Sequence, residues 1–216
     1  MRKPEFIARQ GRRPSGLLGY LVAFIMASET EPENVQTLNL LEMKPNDKIL
    51  EVGCGHGETL RSAAKRCVNL SVTGIDFSDV MLNVARRRNR KLITSGHVKI
   101  DKGDSANLPY LNDGFNKIYS VHTIYFWQNP EIHLQEILRV LTPGGQFVLG
   151  FRSGDDAAFA EKFPASIYNL RTAAKIDALL RQCGFRQVRL QKQNISGHIM
   201  YWITASKTLT GGEAHV

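Results

Sequence analysis

From Lys48 onward, short apolar runs alternate with amphipathic stretches, and this alternation limits the fold more than any other feature. Strands are predicted at 49–52, 70–76, 97–102, 115–123 and 146–151. Helices are predicted between them at 58–67, 78–91 and 131–141, with a further helix at 172–183 that Gly184 ends. Strands that alternate with helices make a parallel sheet covered on both faces. Two last strands, 186–193 and 198–206, are separated by turn residues 194–197 and add an antiparallel hairpin. Thr142-Pro-Gly-Gly before the 146–151 strand is a type II turn signal. Ahead of this region, Thr30 and Glu33 form a capping-box pattern. Val35, Leu38 and Leu41 then give 31–43 a helical stripe. The chain divides into an N-terminal helical cap (1–44), a catalytic-type domain (45–206) and a flexible tail (207–216).

Composition fits one globular domain. Of 216 residues, 43% are apolar, and mean hydropathy is -0.23, which excludes a disordered chain. Cys54, Cys67 and Cys183 are too scattered for a disulfide framework or a zinc site, so reduced thiols in a cytoplasmic protein are expected. The apolar run 17–27 follows Arg12-Arg13, as a secretory or twin-arginine signal would. It falls short of the roughly 20 residues that span a bilayer and reads better as an amphipathic helix. The net charge is +8 and is local. Arg2, Lys3, Arg9, Arg12 and Arg13 face one acid, Glu5, within 1–13. Arg86, Arg87, Arg88, Arg90 and Lys91 cluster at a helix end, where cations favour the dipole.

The chemistry begins at Ile49-Leu-Glu-Val-Gly-Cys-Gly-His-Gly. A glycine-rich turn at the carboxyl end of the first strand lets a ligand approach the backbone and the free N–H groups of the next helix. Its spacing is G-x-G-x-G, not G-x-G-x-x-G. Asp76 ends the second strand, and its two oxygens can accept from the vicinal hydroxyls of a ribose. Gly103-Asp104-Ser105 follows the third strand, where Asp104 can accept from an exocyclic amine such as that of adenine.

In this order, these residues resemble the class I S-adenosylmethionine-dependent methyltransferases, in particular the small bacterial enzymes known as methyltransferase type 11. The resemblance covers about residues 45–206. It implies a Rossmann-like seven-stranded α/β sheet of order 3-2-1-4-5-7-6, with the seventh strand antiparallel. It implies S-adenosyl-L-methionine as cofactor and no metal. Glu51, Gly53 and Gly55 would hold the methionine part. Cys54 lies in the same turn, its thiol expected to pack. Asp76 would take the ribose, Phe77 the adenine face, Asp104 the adenine amine and Ser105 the ring. His122 would line the site near the sulfonium.

On the acceptor side the expectations are His122, Tyr125, Trp127, Phe151 and Tyr20. Tyr125 and Trp127 can stack on an aromatic acceptor or hold a cation. Phe126 reads as core, and His122 as a lining residue with general base as the other role. Tyr20, in the cap, is placed to close over the site. The remaining histidines (His56, His97, His133, His198, His215) show no ligand spacing. The expected reaction is methyl transfer to a small, apolar or aromatic acceptor. A nicotinamide-dependent oxidoreductase and a non-catalytic module of the same fold are the alternatives. No nucleic-acid apparatus is visible. A peripheral membrane contact would come only from the basic cap, and the oligomeric state is open.

Overall fold

A computed structural model describes residues 4–16, 19, 30–66 and 69–209. One seven-stranded sheet organises them, in the order β3-β2-β1-β4-β5-β7-β6. The strands are β1 (Lys48–Val52), β2 (Ser71–Asp76), β3 (Val98–Lys102), β4 (Phe115–Val121), β5 (Leu141–Phe151), β6 (Arg186–Ile195) and β7 (His198–Ser206). The first five pair in parallel, and β7 runs antiparallel to both β5 and β6. The helices are α1 (Glu5–Arg12), α2 (Glu31–Leu40), α3 (Glu58–Ala63), α4 (Asp79–Arg88), α5 (Arg90–Thr94), α6 (Pro130–Val140), α7 (Ala157–Ala160) and α8 (Ala173–Gln182). No helix among the described residues is long and apolar enough to cross a membrane.

The sheet separates two apolar cores, as β1 shows: Leu50 and Val52 enter one, Ile49 the other. Alternation along a strand sends successive side chains to opposite faces. Leu38 of α2 and Trp202 of β7 share the core of Ile49. Phe151 and Ile203 lie in the other, with Leu134 and Ile137 of α6.

Several local expectations change. The helix predicted over 78–91 breaks at Asn89 into α4 and α5. The buried Asn89 amide donates to Ala85 O at 3.0 Å and Gly57 O at 2.8 Å, a tertiary bond that stops the helix. Ser78 caps α4 as its sequence suggests, accepting from Met81 N. Glu33 forms no capping box with Thr30, because two histidines take its carboxylate. The Thr142–Gly145 turn is absorbed into β5, where pairing with β4 shifts register. Lys207 continues the sheet, its N–H bonding Gly145 O, so the described part of the tail begins after it.

Candidate functional site

The carboxyl ends of β1, β2, β3 and β4 open into a cleft of about 700 Å³. Open parallel sheets bind ligands at this edge. Gly53, Gly55, Asp76, Phe77, Gly103, Asp104 and Ser105 all line it. The turn after β1 is locked to β2, since Gly53 N and Cys54 N both donate to Ile75 O. Gly53 has φ +76, and a Cβ there would lie 2.3 Å from the Thr123 methyl. Gly55 has φ +49, and a Cβ would meet nothing within 4 Å. The backbone at Gly55 is therefore bared to the cleft, where a side chain would fill the space a ligand needs.

Asp76 is fixed from below. Its Oδ2 accepts from Gly55 N at 2.9 Å and its Oδ1 from Ser78 N at 2.8 Å. Each carboxylate oxygen keeps a second lone pair for a ligand hydroxyl. Burial raises its pKa, against backbone N–H bonds from Ser78, Gly55 and Phe77 that lower it. Phe77 is partly exposed on the same wall, with the Arg13 guanidinium 5.5 Å above its ring. Asp104 Oδ1 accepts from Ala106 N, which sets its loop. Ser105 Oγ pairs with His133 Nδ1 at 2.7 Å.

Three expected site residues point elsewhere. Glu51 is buried beside Tyr119, whose hydroxyl donates to it at 2.9 Å, and it does not line the cleft. Phe151 is fully buried, packed on Tyr201 across the β5–β7 pair. Tyr125 is buried too, and Phe126 takes the lining position. Both residues lie in the 3-10 turn Ile124–Phe126, where Tyr125 faces the core and Phe126 the cleft. The Cys54 thiol packs under Gly74, and burial holds its pKa well above the ordinary value, which disfavours thiolate chemistry. Tyr20 lies outside the described residues.

His122 and Trp127 do line the cleft. His122 has φ +58, rare for a residue with a Cβ, and its N–H bonds Gly150 O. Trp127 stacks on His133, with centroids 4.8 Å apart and planes at 6°. His133 therefore joins the wall, which its lone position in the sequence gave no reason to expect. The N-terminal segment also reaches the site. Gly11, Arg12, Arg13 and Pro14 line the cleft, and Ser78 Oγ donates to Pro14 O at 2.7 Å. Among the described residues no group of three His, Cys, Asp or Glu side chains could hold a metal ion.

A family profile described as a methyltransferase domain matches residues 50–149, the span that supplies most of this cleft. Residues 50–149 are a methyltransferase domain, carried on the sheet of the class I S-adenosylmethionine-dependent methyltransferases. The uncharacterized methyltransferase YdaC of Bacillus subtilis is 28% identical to this methyltransferase over 190 residues, covering 88% of this chain and 99% of that one. An O-methyltransferase of Pyrenophora dematioidea is 32% identical over 166 residues, covering 73% of this chain and 61% of its own length. A Haloferax volcanii putative methyltransferase, solved with the activator Trm112, superposes with a TM-score of 0.76 at 16% identity. That match covers 91% of this chain and 97% of that structure, and it speaks for the fold alone. The methyltransferase family displaces the nicotinamide oxidoreductase alternative.

Proposed function

We propose that the cleft binds S-adenosylmethionine and presents its methyl group to a small apolar or aromatic acceptor. The observation that carries this reading is the pairing of Asp76 with the bared turn at Gly55. One residue offers fixed acceptor lone pairs for a ribose diol. The other offers backbone without a side chain at van der Waals distance. Phe77 would take a face of the adenine, with Asp104 and Ser105 at its edge. The bound cofactor supplies a methyl on a sulfonium, whose leaving group is a neutral thioether needing no acid.

The chain's own work is then placement and exclusion of water. Holding two reactants in line can supply on the order of 7–11 kcal/mol in favourable cases. Phe126, Trp127 and Ile132 give the acceptor end an apolar lining. The similarity to a protein named an O-methyltransferase supports the methyl-transfer reading. Both ring nitrogens of His122 are engaged, by Glu33 and Tyr125, which favours a lining role over a base. Residues 11–14 supply the cap side of the pocket, and closure over the acceptor by the cap is part of the proposal.

Calorimetry tests the cofactor half. S-adenosylhomocysteine should bind, NADH should not, and Asp76→Ala should weaken S-adenosylhomocysteine by at least tenfold, the equivalent of about 1.4 kcal/mol. Equal binding by the variant would reject the ribose assignment. A radiolabelled-methyl screen over phenols, quinols, amines and lipids tests the acceptor half.

A further inference from the structure

Behind the cleft wall lies a cluster that the glycine turn does not explain. Glu33 of α2 is 3% exposed and its carboxylate is shared by two imidazoles. His122 Nε2 bonds Oε2, and His198 Nε2, from the start of β7, bonds Oε1 at 2.6 Å. Tyr125 Oη lies 3.0 Å from His122 Nδ1 and accepts the Arg152 N–H. Burial would raise Glu33, but the hydrogen bonds and charges of His122 and His198 more than offset it and keep its pKa below the usual value.

Donor and acceptor bookkeeping fixes the protons. An ionised carboxylate only accepts, so both histidines carry hydrogen on Nε2. Tyr125 accepts from Arg152 and has its own hydrogen to give to His122 Nδ1, the direction this proposal takes. The network runs in one direction: Arg152 N–H to Tyr125, Tyr125 O–H to His122, His122 N–H to Glu33, with His198 N–H meeting the same carboxylate. Both ring nitrogens of His122 are then engaged, and the Glu33 carboxylate lies directly behind the ring. A buried carboxylate behind the cleft wall suits a cationic reacting centre.

We propose that Glu33 is a positioning residue for this site: its single carboxylate sets the tautomer and direction of His122 in the cleft wall and ties that wall to the β6–β7 hairpin. The proposal rests on the methyl-transfer reading of the cleft only for its purpose, not for its geometry. It also explains how a histidine stays seated at φ +58, with its backbone and both ring nitrogens bound.

Long-range proton–nitrogen correlation spectra of the full-length protein labelled with ¹⁵N-histidine test it. In the wild type His122 and His198 should both show the Nε2–H tautomer. Glu33→Gln keeps one acceptor oxygen and faces the other ring with an amide donor. His198, half-exposed and without a Tyr partner, should change tautomer while His122 keeps its own. Glu33→Leu should leave His122 averaging between tautomers while S-adenosylhomocysteine affinity stays within about threefold, because Asp76 is untouched. If the leucine variant fails to fold, the glutamine variant still decides. A wild-type His122 in the Nδ1–H form, or a Glu33→Gln protein in which neither ring responds, would overturn the proposal. Titration with S-adenosylhomocysteine separates the two readings. Absence of binding refutes the cofactor assignment and leaves the tautomer result to stand or fall alone.

Discussion

At the scale of single residues, strand position decides what a motif can touch. The cleft positions of Asp76 and Phe77 were legible because they sit where β2 ends and the chain turns at the carboxyl edge of the sheet. Asp104 was legible for the same reason after β3. Glu51 belongs to the same block, but it lies inside β1, two residues before the turn. Its strand sends it to Tyr119, its parallel neighbour on β4. A strand's two faces cannot be told apart in sequence when both are buried. Glu51 thereby makes a test of its own. Burial pushes it up to about 8, with the Tyr119 hydrogen bond working against the shift, while the unfolded chain ionises it near 4.5. The folded state therefore holds a proton that the unfolded state has released. The stability this contributes is complete below pH 4.5 and is lost as pH rises through 8. Glu51→Gln keeps an acceptor for Tyr119 and cannot ionise. Between pH 5 and 9 it should gain on the wild type by on the order of 3 kcal/mol. Parallel unfolding curves for the two proteins across that range would refute the assignment.

Elements were mostly legible in kind, while their limits depended on partners far away in sequence. Hydrophobic period and turn residues place all seven strands, because buried parallel strands need continuous apolar runs. The break at Asn89 could not be read, since its cause is the Gly57 carbonyl 32 residues earlier. The α2 helix shows the same dependence. Thr37 accepts from Trp202 Nε1 at 2.9 Å and donates to Glu33 O at 2.9 Å, joining α2 to β7 in the core. Thr37→Val preserves volume and removes the hydroxyl to which the indole N–H donates. Leaving a buried donor unsatisfied costs roughly 1–3 kcal/mol. Urea unfolding should show that loss with an unchanged m-value. A loss below about 0.5 kcal/mol would mean that α2 is held by apolar packing alone.

For the whole molecule, the structure relocates the N-terminal charge. In the sequence, the basic residues 2–13 read as a cap whose charge could serve a peripheral membrane contact. In the fold, Arg12 and Arg13 line the cleft on the Phe77 side, and Pro14 O is bonded by Ser78. A cap that only closed over the acceptor would, on loss of residues 1–28, abolish transfer and spare cofactor binding. The contacts at 11–14 now argue that cofactor affinity falls as well, by about tenfold, for loss of one wall and a buried hydrogen bond. Unchanged S-adenosylhomocysteine affinity in the truncated protein would return the cap to the acceptor side alone. The second basic cluster is partly structural: Arg88 bonds Glu58 and His56 O, and Arg86 reaches Ile100 O.

The sequence by itself determined the alternation of elements, the sheet order through the family it resembles, and the placing of a glycine turn and two aspartates at the carboxyl edge of the sheet. All of these depend on spacing within one strand–turn–helix unit. Only the tertiary structure decided that Tyr125 and Phe151 are core, that Phe126 and His133 line the cleft, and that Glu33 joins His122 to His198. Those outcomes depend on which distant faces meet: Glu33 is 89 residues from His122 and 165 from His198. No local period carries that information, because such a contact is set by packing α2 against the carboxyl edge of the finished sheet.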